Sequence, residues 1–145
     1  DDHMVNTVDL YDELHEKGVK FYPWKLDKEK STIIELNKRY AVFVDFNSIR
    51  NSVEERVVVA HEYGHIETGA THSICSPYDL VARHEIKADK HAIKRLIPKH
   101  ELDDAVASGR TEVWDLADYF GVTEEFMKKA VCWYTNGNLA TDLYF

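Results

Sequence analysis

Apolar positions three apart, Val5, Val8, Tyr11 and Leu14, open the chain and predict a short amphipathic helix that stops at Gly18. The pattern then changes. Runs rich in β-branched and aromatic residues at 19–24, 32–36 and 40–46, separated by polar turn formers, predict three strands. Tyr40, Ala41, Val42, Phe43 and Val44 are apolar without alternation, which predicts a strand covered on both faces.

From residue 52 onward the periodicity is helical. Ser52, with Glu55 three residues on, reads as a capping box opening a helix that runs to Gly69. Ser76, Pro77 and Asp79 give a second start: cap, proline at the first position, acid in the first turn. Pro98 opens a third helix that ends near Gly109, and Thr111 and Thr123 cap two more, with Gly121 between them. A small sheet followed by a helical bundle defines the α+β class.

A length of 145 residues with 44% hydrophobic content suits one domain with a real core. Residues 1–3 read as the remainder of an expression tag, leaving 4–145 as the single domain. No run of about 18 apolar residues exists, so nothing is expected to span a membrane. The polar, acidic stretch after Met4 lacks the basic and apolar regions of a secretion signal, so a cytoplasmic location is expected. Two cysteines, Cys75 and Cys132, are too few for a disulfide framework and are expected to be thiols. The net charge of −8 disfavours nucleic-acid binding, because such a surface repels phosphate.

The chemistry is concentrated at His61, Glu62, Tyr63, Gly64 and His65, the HExxH pattern in mid-helix. Spacing of four places both imidazoles on one face, one turn apart, where they can grip one cation. Zinc suits such a pair and keeps an open position when three protein groups hold it. Glu62 projects beside the pair and can act on a water without ligating the metal. Gly64 leaves a gap suited to close approach of another segment. Twenty residues after His65, on the next helix, stand Glu85 and Asp89, again four apart. Glu85 completes a catalytic His₂Glu set, and Asp89 can accept the free N–H of a ligand histidine and fix its tautomer.

HEYGH on one helix and HEIKADKHAIKRLIP on the next resemble the ImmA/IrrE family of metallopeptidases over residues 40–98, and more loosely through the C-terminal helices. The resemblance implies His61, His65 and Glu85 as metal ligands, Glu62 as general base, and a zincin-like, small sheet packed on the motif helix. It also implies a role on phages or other mobile elements, cleaving or inactivating a helix-turn-helix repressor. A zinc endopeptidase further needs a donor for the oxyanion, and Tyr78, His72 and Arg83 are the candidates. The strand at 40–45 is expected to be the edge along which substrate lies. His84 points about 100° from Glu85 and is read as outer-sphere or solvent-facing. Cys75 is read as an ordinary thiol rather than a fourth ligand.

Two other readings compete. The segment from Val113 to Tyr134 looks like a helix-turn-helix, which would make a DNA-binding regulator. Between Glu101 and Lys129, however, eight acids face only Arg110, Lys128 and Lys129. Two antiparallel core helices, with Trp114, Phe120, Phe126 and Trp133 inside, are expected instead. The other is a metal-binding regulatory module without proteolysis, against which the intact Glu62 argues.

Overall fold

The computed structural model describes residues 4–69, 71 and 78–145. Helix α1 (Thr7–Glu16) begins at Asn6, whose side chain accepts from Asp9 N while Asp9 returns the bond to Asn6 N. It buries Leu10 and Leu14. Val8 is 65% exposed and does not belong to the stripe. It stands two positions, about 200°, before Leu10 on the helix.

Strands β1 (Lys20–Pro23), β2 (Ser31–Leu36) and β3 (Arg39–Val44) form one sheet in the order β1-β3-β2. β1 runs parallel to β3 and β2 antiparallel to it. Asn37 and Lys38 both adopt positive φ, 54° and 64°, which turns the β2–β3 hairpin in two residues. β3 is therefore central, and the expectation that residues 40–45 form an edge is wrong: both its ladders are taken, and the edges are β1 and β2. Val42 and Val44 enter the core. Phe43, on the opposite face, lies under Tyr22 and Trp24, with centroids 5.4 and 5.7 Å away. Trp24 is itself 62% exposed. Aromatic neighbours thus give the unalternating run its second cover.

Helix α2 (Ser52–Thr68) is capped one residue earlier than expected. Asn51 accepts from Glu54 N at 2.9 Å, and Glu54 reaches back to Arg50 N at 3.0 Å. Ser52 is already helical, and Glu55 instead accepts from Tyr11 Oη at 2.7 Å, tying α1 to α2. The C-terminal cap is Gly69 at φ 68°. Helix α3 (Tyr78–Leu96) packs along α2; its expected cap, Ser76 with Pro77, lies outside the described residues.

Helices α4 (Lys99–Ala107), α5 (Val113–Phe120), α6 (Glu124–Asn136) and α7 (Thr141–Tyr144) complete the bundle. Thr123 caps α6 through Phe126 N, whereas α5 starts from Glu112 without a side-chain cap, so Thr111 has no such role. Phe120 and Phe126 are core and Trp133 packs against it, but Trp114 is 62% exposed. The buried stripe of α5 runs through Leu116, Ala117 and Phe120, and Trp114 falls off its edge. Arg56, buried on α2, donates to Val5 O, Phe120 O and Gly121 O, joining the N-terminal segment, α2 and the α5–α6 turn.

Candidate metal centre

His61 and His65 project from one face of α2 with ring centroids 4.7 Å apart. Their Nε2 atoms are 3.1 Å apart, and Glu85 Oε2, from α3, lies 3.1 Å from His61 Nε2 and in contact with His65 Nε2. The three donor atoms all fall within 4.8 Å of one another. Ligands held at about 2.0–2.1 Å by a tetrahedral zinc stand about 3.3 Å apart, so this donor set fits one cation with small displacements.

What brings α3 this close is Gly64. A Cβ there would sit 2.5 Å from Ala88 O and 3.0 Å from Ala88 Cα. With hydrogen in that place the two helices touch backbone to backbone, and Glu85 and Asp89, one turn apart on either side of that contact, both face the histidines.

The electrostatics bind the group together. Asp89, buried at 9% exposure, places Oδ1 2.8 Å from His61 Nδ1, leaving Nε2 to face the other donors. Burial disfavours charge on His61, but the carboxylates of Asp89 and Glu85 outweigh it and raise the imidazole pKa to about 10. Burial likewise pushes Glu85 up, yet hydrogen bonds from His61 and His65 bring its carboxyl far below the usual range. For Asp89 burial is opposed by His61 and by Lys129, whose Nζ is 3.0 Å away, and the net shift is downward.

Glu62, at 4% exposure, accepts a hydrogen bond from Ser31 Oγ on β2. Beside the donor set opens a cleft of about 400 Å³, walled by Val57 and Val58 of α2, Ser31 of β2, and Phe126 and Lys129 of α6.

The structure thus brings His61, His65, Glu85 and Asp89 together and sets Glu62 next to them. Arg83 is exposed, two positions and about 200° around α3 from Glu85, and does not line the cleft. His72, Cys75 and the Tyr78 side chain lie outside the described residues. Ser31 and Lys129 were not foreseen. They reach the site from 31 and 40 residues away in sequence, where no helical or strand spacing could announce them.

A small sheet, a helix bearing HExxH and a facing glutamate define a metallopeptidase-type domain. The chain belongs to the peptidase family described as the IrrE N-terminal-like domain, whose sequence model matches residues 15–131. The ImmA/IrrE resemblance read from the motifs is therefore borne out. No curated protein and no solved structure matches the chain. Among the described residues no helix is long and apolar enough to cross a membrane.

Proposed function

We propose that residues 4–145 form one cytosolic, zinc-dependent endopeptidase domain that cleaves a helix-turn-helix repressor of a phage or mobile element. The observation carrying this reading is the convergence of His61 Nε2, His65 Nε2 and Glu85 Oε2 beside a buried Glu62.

Zinc bound by those three would supply Lewis acidity, lowering the pKa of water towards about 7. Glu62 takes the proton of the attacking water and delivers it to the leaving amine. Ser31 holds the Glu62 carboxylate, and Asp89 fixes the His61 tautomer with Nδ1–H inward. Substrate lies along β2, as befits a zincin-like site. Lys30 O accepts from Asp45 N, so in an antiparallel ladder Ser31, Ile33 and Glu35 turn their backbone groups to the outer edge. Of these, Ser31 reaches the motif helix directly, through Glu62. A basic repressor is favoured by the −8 net charge of the chain.

Co-expression with the repressor encoded beside it tests this. A fragment that appears with the wild type and vanishes with Glu62→Gln is expected. An uncut repressor with unaltered binding would move the function to non-proteolytic regulation, the reading next in line because the donor set alone would serve it.

A further inference from the structure

Asp89 spends both carboxylate oxygens, and only one of them on a residue of the donor set. Oδ1 faces His61 Nδ1 at 2.8 Å, while Oδ2 accepts from Lys129 Nζ at 3.0 Å. An aspartate carboxyl swings about a broad, twofold χ2, so one hydrogen bond to an imidazole that can itself rotate fixes neither partner. A second anchor from a different element removes that freedom. Lys129 is such an anchor: it stands on α6, a different element from α3, and α6 is rooted in the core by Phe126, Met127 and Ala130.

Charge points the same way. Glu62, Glu85 and Asp89 bring three carboxylates to the site, and the Lys129 ammonium is set directly against one of them, Asp89. Lys30, the other lysine lining the cleft, is engaged by Glu54 at 2.6 Å.

We propose that Lys129 is a positioning residue of the metal centre, acting through Asp89 to hold His61 in its ligating orientation. The C-terminal bundle thereby becomes part of the site: whatever displaces α6 is felt at His61. The inference rests on His61, His65 and Glu85 binding metal, and the test separates the two.

Zinc affinity is measured by competition with a chromophoric chelator on the full chain, for wild type, Lys129→Met, Lys129→Arg, Asp89→Asn and the Lys129→Met/Asp89→Asn double variant. Visible absorption of the cobalt(II) forms and thermal unfolding of the metal-free forms are recorded alongside. Lys129→Met is expected to weaken zinc about tenfold, the lower end of what outer-sphere partners of a ligand histidine contribute. Its cobalt spectrum should shift, while metal-free unfolding shows that it folds. Lys129→Arg, which keeps a cation within reach of Asp89, should stay within about threefold of wild type. In the Asp89→Asn background, Lys129→Met should add less than about threefold, because residues acting in series are not additive. Wild-type affinity and spectrum in Lys129→Met, or full additivity with Asp89→Asn, would overturn the role of Lys129. A wild-type chain that takes up no zinc would overturn the metal reading itself, and this proposal with it.

Discussion

Gly64 and Ala88 touch through their backbones: no side chain larger than hydrogen fits at Gly64 without moving Ala88 O, 2.5 Å from where a Cβ would stand. This contact sets the separation of the two helices that carry all three candidate ligands.

Gly64→Ala should therefore damage stability and metal binding together. In an isolated helix the change would gain about 1 kcal/mol from propensity. Here overpacking against backbone outweighs that, and a net loss of about 1–2 kcal/mol is expected in urea unfolding. Zinc affinity should fall as Glu85 and Asp89 are pushed outward. A stabilised variant with unchanged zinc affinity would show that α3 tolerates the shift.

Glu62 is adjacent to the donor set without belonging to it. Glu62→Gln should keep one zinc per chain and reduce peptide cleavage by about 10²–10⁴, the range attributed to positioned acid–base groups. Metal analysis and cleavage assays on the same preparation check this. His61→Ala and Glu85→Ala should instead lose the metal.

Stability should depend on acid through Glu54. Burial pushes this carboxyl up, but Lys30 and Arg50 overcome it and hold the pKa at about 2, against an ordinary 4.5. A depressed value means that the folded state favours the charged form. The contribution is thus complete above about pH 4.5 and lost as pH falls towards 2. Allowing for screening of the exposed partners, it amounts to about 2 kcal/mol. Unfolding of wild type and Glu54→Gln should differ by that amount at pH 6 and converge near the acid end of the range. A constant gap would locate the effect elsewhere than in the charge.

The site was legible in sequence to the extent that it is local. His61 with His65, and Glu85 with Asp89, are pairs four apart on helices, and helical geometry alone puts each pair on one face. Gly64 announced a close approach, though not which residue approaches. The strands were visible as β-rich runs, but their order was not: pairing β1 to β3 in parallel past β2 leaves no local mark. The cap of α2 was misplaced by one residue because Asn51 and Ser52 are both good caps. The choice between them is made by Glu54, which the β1–β2 loop holds in place through Lys30. Ser31, Lys129 and Arg56 act entirely through contacts distant along the chain.

Arg56 yields the last prediction. Only 7% exposed, it has no carboxylate hydrogen-bond partner among the described residues. Its guanidinium divides among carbonyls instead: Nε to Val5 O at 2.8 Å, Nη1 to Phe120 O at 2.7 Å and to Gly121 O at 2.9 Å. Two of these acceptors terminate α5, whose last carbonyls have no intrahelical donor. Arg56→Met keeps most of the stem but leaves three carbonyls facing an apolar group. Each acceptor so stranded costs about 1 kcal/mol or more, and a loss of about 3 kcal/mol is expected. Arg56→Lys should recover less than half of it, since a single ammonium cannot span the fork that serves both the N-terminal segment and the α5–α6 turn. That turn leads directly into Thr123 and Phe126 on the cleft wall, so both variants should also loosen α6. Hydrogen exchange at residues 121–127 is the measurement. Faster exchange there in Arg56→Lys, with the amides of α3 unchanged, is the expected pattern; uniform acceleration would mean that Arg56 stabilises the whole fold without specific hold on the turn.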